Sequence, residues 1–167
     1  YYTDFLKAIR DTKAIYHIAR RGQVIDMGDG VKAQVLNPNP LQDYMELNDR
    51  SIVLRLVYGR VAFMITSDAG EQIEHSMILA GMPLRSQVLQ VGHHGSEEAS
   101  SPEWLSAVNP TVAVISCGRN NEYGHPSREV ISRLQSRGVR VYRTDVHGAV
   151  AFTTNGTTIT VRHFAVP

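Results

Sequence analysis

The segment Val88 to Ser96 reads V-L-Q-V-G-H-H-G-S. An apolar run halts at Gly92, and His93 and His94 stand side by side before Gly95 and Ser96. Imidazoles at a strand end can ligate a metal, carry a proton or contact an anion. Asp68 lies 25 and 26 residues before the pair, directly after the apolar run V-A-F-M-I-T and Ser67. After the later run T-V-A-V-I-S come Asn120, Asn121, Tyr123 and His125, and after V-R-V-Y-R-T come Asp145 and His147. Four successive strand ends therefore carry Asp, His-His, Tyr/His and Asp/His, which would meet along one sheet edge if the strands are neighbours. Carboxylate plus imidazole is an oxygen/nitrogen ligand set that suits Zn²⁺ or Mn²⁺. Adjacent residues of an extended strand point to opposite faces, so both histidines can serve one site only where the strand has ended and curled. Gly92 and Gly95 permit that turn. Otherwise one histidine ligates and the other orients it, donates a proton or touches substrate.

Each of these residues also has a structural reading. Asp68 in S-D-A-G-E-Q could cap a helix or close a turn. His125 before Pro126 could simply lead into a helix, and His17, His75 and His163 have no partners legible in the sequence. Ser96 with a neighbouring histidine and an aspartate contains the ingredients of a serine triad. G-H-H-G-S is not a G-x-S-x-G elbow, however, and none occurs elsewhere in the chain.

The elements that must hold these residues follow from periodicity and punctuation. Y-T-D-F-L-K-A-I-R-D-T-K has a short helical apolar face at Phe5, Leu6 and Ile9. A-I-Y-H-I-A, Q-V-I-D-M-G and V-K-A-Q-V-L-N-P read as strands, the last stopped by Pro38 and Pro40, and P-L-Q-D-Y-M-E-L-N-D reads as a loop. S-I-V-L-R-L-V-Y-G-R-V-A-F-M-I-T is a hairpin about Tyr58-Gly59-Arg60. E-Q-I-E-H-S-M-I-L-A-G-M is a helix stopped at Gly81. From there strands Q-V-L-Q-V, T-V-A-V-I-S and V-R-V-Y-R-T alternate with helices S-P-E-W-L-S-A-V, capped by Ser101 with Pro102 first, and P-S-R-E-V-I-S-R-L-Q-S-R-G. T-V-A-V-I-S is apolar enough for burial on both faces. G-A-V-A-F-T-T-N-G-T-T-I-T-V-R closes the chain as a hairpin at Asn155-Gly156. Residues 1–167 thus form a single domain of mixed α/β class, with sheets and helices packed outside.

The chain has 167 residues, 43% hydrophobic and 20% charged, with net charge +1. That composition suits one globular domain and does not by itself point to nucleic acid or membrane. No apolar run approaches the ~20 residues of a spanning helix, and no secretory signal pattern stands at Tyr1. The lone Cys117 allows no internal disulfide and no cysteine zinc cluster. Charge is uneven: nine acids and four arginines lie between Asn37 and Glu103, six arginines and two acids between Arg119 and Arg143. Either these are solvated faces, or an acidic middle attracts cations and a basic C-terminal part meets phosphates.

The stretch from V-L-Q-V-G-H-H-G-S to Y-R-T-D-V-H-G-A-V-A-F, with Y-G-H-P between them, resembles the C-terminal metallo-β-lactamase-like domain of ComEC-type DNA-uptake channel proteins of competent bacteria. N-D-R-S-I-V-L-R-L-V-Y-G-R-V-A-F-M-I-T-S-D-A-G is similar to the preceding segment of that domain, and the likeness runs from about Phe5 to Phe152. It implies a metallo-β-lactamase-like αββα sandwich, two Zn²⁺ or Mn²⁺ ions, and hydrolysis of phosphodiester bonds in DNA, or of another phosphodiester or small molecule. By position, Asp68 matches the metal-bridging aspartate and His93/His94 the histidine ligand, without saying which one ligates. His125 with Tyr123 matches a rim motif suited to a substrate-phosphate or proton-donor role. Ser96, Arg119 and Arg128 are further substrate-binding candidates, and Asn48 stands where many relatives carry another histidine ligand. The superfamily signature H-x-H-x-D-H, or H-x-D-x-D-H, does not occur here. The chain is therefore expected to be the C-terminal half of such a domain, one sheet-and-helix layer plus part of the second. It would hold metal weakly or not at all, and be inactive until the N-terminal half is supplied. Expected partners are DNA, that half, the membrane channel domain of a parent protein, and a second copy covering a bared apolar face. The implied setting is a soluble domain of a bacterial membrane protein on the extracytoplasmic side, or a soluble or secreted relative. A non-catalytic DNA-contacting module of an uptake complex is the reading from another class.

Overall fold

The computed structural model describes residues 2–12, 14–42 and 46–164. Helix α1 (Tyr2–Asp11) precedes strands β1 (Val24–Asp26), β2 (Val31–Asn37), β3 (Val53–Tyr58) and β4 (Val61–Ile65). Helix α2 (Glu71–Leu79), β5 (Val88–Gln90), α3 (Pro102–Val108), β6 (Val112–Ile115), α4 (Arg128–Ser136) and β7 (Arg140–Arg143) then alternate. A helical turn α5 (Thr144–His147) leads to β8 (Ala149–Thr154) and β9 (Ile159–Phe164).

Strands β1 to β7 form one sheet in sequence order. The first four are antiparallel neighbours, whereas β4, β5, β6 and β7 run parallel. Parallel strands need crossovers, and α2, α3 and α4 supply them on one face. Ile73 and Met77 of α2, Trp104, Leu105 and Val108 of α3, and Val130 and Leu134 of α4 pack with Leu36, Val53, Met64, Leu89, Ala113 and Ile115 of the sheet. Each such side chain contributes about 1.5–3 kcal/mol by leaving water. Ser101 and Ser127 cap α3 and α4, their hydroxyls accepting from the amides of Trp104 and Val130. The mixed α/β class, the two hairpins and the alternating half are as the sequence implies.

The far face is covered in part by the β8–β9 hairpin, whose Phe152 meets Phe63 edge-on at 6.0 Å. Its four-residue loop, Asn155 to Thr158, docks on the β3–β4 turn, where the amide of Arg60 donates to the carbonyl of Gly156 at 2.7 Å. By register Leu54, Leu56, Phe63 and Ile65 share this far face, and all remain half-buried. Helix α1 forms but buries no residue.

One local expectation fails. A-I-Y-H-I-A is not a strand: residues 14–20 lack regular structure, and Ile15, Tyr16 and Ile18 are exposed. A three-residue β1 already pairs with β2, so this segment has neither a ladder nor a buried face to fix it. The turn α5, placed straight after β7, was not anticipated. Within the loop P-L-Q-D-Y-M-E-L-N-D, residues 43–45 lie outside the described residues, and Asn48–Arg50 make a 3₁₀ turn.

Glu74 is 1% exposed within the helical layer. Its carboxylate accepts from the amides of Ser100 and Ser101, at 2.6 and 2.9 Å, tying α2 to the start of α3. Burial raises its pKa above the usual value of 4.5, against the lowering effect of those two bonds. Its contribution to stability is therefore greatest at acid pH and is lost as pH rises through the folded value. Urea unfolding should show Glu74→Ala losing about 2–4 kcal/mol, because two buried amides lose their acceptor. Glu74→Gln should remove the part of the pH dependence that begins above the unfolded value of 4.5.

Candidate hydrolytic site

The C-terminal ends of β4, β5 and β6 meet at one edge, because these strands run parallel and adjacent. After β4 the chain turns left-handed at Ser67 (φ 50°) and presents Asp68. Gln90 anchors this turn: its Oε1 accepts from the amides of Thr66 and Ser67, and its carbonyl accepts from the Thr66 hydroxyl. Asp68 does not cap α2, whose N-cap is Gly70 without a side-chain bond.

After β5 comes the G-H-H-G turn. His93, His94 and Gly95 take φ values of 46°, 55° and 83° in succession. Two consecutive non-glycine residues in the left-handed region are strained and persist only where packing imposes them. Here it does. The amide of His93 donates to the carbonyl of Ser67 at 2.9 Å. A Cβ on Gly92 would meet the Ala69 carbonyl oxygen at 2.9 Å, and one on Gly95 would meet Pro126 Cβ at 2.6 Å. The curled chain brings both imidazoles to the same edge.

His94 Nδ1 lies 2.7 Å from the carbonyl of Ser116. A carbonyl only accepts, so Nδ1 carries the hydrogen and Nε2 is left to face Asp68 Oδ1 at 3.5 Å. With a neutral ring, a lone pair and a carboxylate then oppose each other, and a proton or a cation between them would relieve the repulsion. His93 turns the other way: its Nε2 is 3.5 Å from the Asn48 amide, and its ring is 5.9 Å from that of His125. Asn121 holds the His125 loop, its Oδ1 accepting from the His125 amide while its Nδ2 donates to the carbonyls of His125 and Gly118. Tyr123 lies almost parallel to His125, 18° apart. Burial first, and then the nearby imidazoles of His93 and His94, lower the His125 pKa below its usual 6.5.

The edge thus gathers Asp68, His93, His94, His125 and Asn48, with Tyr123 beside them. Ser96 is buried, its amide donating to the carbonyl of His93 at 2.8 Å, and it lines a hollow with Arg128 beyond the His125 loop. Arg119 is exposed beside the site, its Nε 3.3 Å from the Asp145 carbonyl. The fourth strand end does not join. Asp145 pairs with Arg143 and accepts from the Cys117 thiol at 3.2 Å. The Arg143 hydrogen bonds hold its carboxyl below the usual range. His147 instead stands against Tyr142 and His163 at ring separations of 5.5 and 5.3 Å. His163 therefore has partners, brought to it by the final hairpin. The positioning residues that sequence reasoning missed are Gln90 and Asn121. Asn121, four residues before His125 in a turn-rich run, was legible as a polar residue but not as its holder.

Zn²⁺ or Mn²⁺ needs three or more protein donors. Asp68 and His94 suit two positions of one ion, but among the described residues no three His, Cys, Asp or Glu side chains come together as a ligand group. The described residues do not complete the implied two-metal centre.

With this geometry in hand, the relatives can be placed. Competence protein ComA of Neisseria gonorrhoeae is 41% identical over 125 residues, 74% of this chain and 18% of that protein. ComE operon protein 3 of Bacillus subtilis (strain 168) is 32% identical over 147 residues, 88% of this chain and 19% of that protein. Recombination protein 2 of Haemophilus influenzae is 36% identical over 121 residues, 72% of this chain and 15% of that protein. The matches support a competence-related family for this chain, which spans less than a fifth of the length of each of these relatives. No protein-family profile matches it. No helix among the described residues is long and apolar enough to cross a membrane.

Two outcomes check the site. In an NMR titration His125 should protonate at lower pH than an exposed imidazole, and His93→Ala should raise its midpoint only part of the way, since burial is the larger cause. Gly95→Ala should cost more stability than Gly138→Ala by thermal unfolding. Both glycines have positive φ, worth about 1 kcal/mol, but only at Gly95 does the added methyl meet a neighbour.

Proposed function

We propose that this chain is the histidine-bearing part of a metal-dependent phosphodiesterase domain of metallo-β-lactamase type, acting on DNA within a competence-related protein. The observation that carries the reading is the opposed pair Asp68 Oδ1 and His94 Nε2, 3.5 Å apart, with His94 fixed from behind by Ser116. Such back-bonding sets the tautomer and aim of a ligating imidazole. The names of the competence and recombination relatives support DNA as the substrate. A Zn²⁺ or Mn²⁺ ion would supply Lewis acidity toward a phosphate oxygen. In this proposal its remaining ligands come from outside the described residues.

The chain's own residues do the rest. Asp68 and His94 present the edge of the site, and Asn48 orients His93. His125, held neutral over more of the pH range by its lowered pKa, serves more readily as a hydrogen-bond partner or proton acceptor than as a donor at neutral pH. Arg119 and Arg128 flank its loop as exposed cations; Arg119 is the one offered to DNA phosphates, since Arg128 shares its hollow with Glu97, Glu98 and Glu129.

The test is DNA cleavage with Mn²⁺ by the longest natural polypeptide containing these residues. Asp68→Ala and His94→Ala should each lose cleavage at least a hundredfold. Unchanged cleavage in either would remove the proposal. Salt-sensitive DNA binding without cleavage by the wild type would replace it with a non-catalytic DNA-contacting role.

A further inference from the structure

Tyr123 is 79% exposed, yet its ring is laid nearly parallel to that of His125, with centroids 5.8 Å apart. Together the two rings form a wall between two hollows. One, about 200 Å³, is otherwise lined by His94, Cys117, Gly118 and Asn121. The other, about 450 Å³, also carries Ser96, Arg128 and the carboxylates of Glu97, Glu98 and Glu129.

Charge decides between them. Three carboxylates against one arginine make the larger hollow a poor seat for a polyanion. The smaller slot has no carboxylate in its lining, and Arg119, which follows Gly118 directly, is exposed with its Nε 3.3 Å from the Asp145 carbonyl. Its walls are imidazole and phenol faces, a glycine backbone and a thiol. The one amide in it, Asn121, already spends its Nδ2 on the carbonyls of Gly118 and His125 and its Oδ1 on the His125 amide. The Cys117 thiol is likewise turned to Asp145. Little is left to read the edge of a guest. What remains is the flat surface of the Tyr123 and His125 rings.

We propose that this slot is a stacking subsite for one unpaired nucleobase, with Tyr123 as the platform, Arg119 on the adjoining phosphate, and no preference among bases. The inference rests on the DNA reading above and narrows its substrate to single strands or frayed ends, since a paired base cannot turn its face to Tyr123. His94, which faces Asp68, lines the same slot, so a seated base would lie next to that pair.

Fluorescence anisotropy on the longest natural polypeptide containing these residues, without added metal, tests this without cleavage. The probes are short labelled oligothymidylate and oligoadenylate strands, intact or with one abasic residue moved along the strand, and the corresponding duplex. The wild type should bind both intact single strands alike and lose about tenfold in affinity when the abasic residue reaches one register. Tyr123→Ala should lose about the same factor on intact strands and become blind to abasic position, while Tyr123→Phe should behave as wild type. Arg119→Ala should lower the salt dependence and keep the abasic register. A flat abasic scan in the wild type, or intact-strand affinity unchanged in Tyr123→Ala, overturns the stacking subsite and leaves the DNA reading standing. If the wild type binds no strand at all, both fall.

Discussion

The edge that gathers the histidines depends on one tight place, the left-handed turn from Gly92 to Gly95. Its backbone lies against Ala69 on one side and Pro126 on the other, too close for a side chain at either glycine. Those two contacts lock together the segments that follow β4, β5 and β6. The turn answers the geometric difficulty of paired histidines: on a strand they would diverge, but with both residues left-handed they share an edge while aiming at different partners. His94 aims at Asp68 and His93 at Asn48 and His125. Strain in the backbone is the cost of that convergence, and close packing on both sides keeps it in place.

Around that turn, the electrostatics are arranged in two zones. The Asp68–His94 pair opposes acceptor to acceptor and so favours a positive charge. In the His93–His125 pair burial first, and then the crowding of imidazoles, disfavours a positive charge, so His125 is less basic than a free imidazole. One edge thus holds a zone that draws a cation and, beside it, a zone that keeps a hydrogen-bonding ring neutral. Arg143 and Asp145, which neutralise each other, keep an additional carboxylate out of this balance.

Much of this was legible in the sequence because it is local. Strand ends, the serine caps of α3 and α4, the two hairpins and the glycine stops are set by residues a few positions apart. The convergence of Asp68 with the histidine pair was legible too, since parallel strands joined by one helix must end on the same edge. What the sequence hid was set over longer range. Asp145 and His147 sit at a strand end like the others, but α5 begins at once and hands them to Arg143 and to the last hairpin. His163 looked solitary because its neighbours Tyr142 and His147 reach it only through the folding back of β9. A-I-Y-H-I-A has strand-like composition and no open ladder, so propensity alone could not make it a strand. The role of Gln90 was hidden because it ends an apolar strand, and its side chain binds the turn that follows the preceding strand, β4.

The order of the sheet carries a consequence for how the molecule comes into being. All seven strands lie in space in the order in which they occur in the chain, so no strand has to wait for a distant partner or insert between two already paired. Each addition pairs a strand with its immediate predecessor in sequence, through a tight turn between β3 and β4 and through a helical crossover from β4 onward. A ribosome releasing this polypeptide from its N-terminal end could lay the sheet down strand by strand, with Asp68 in position before the histidines emerge. Only the final hairpin reaches back, setting its loop on the turn between β3 and β4. It covers part of the far face last, after the edge that carries Asp68 and the histidines has been assembled.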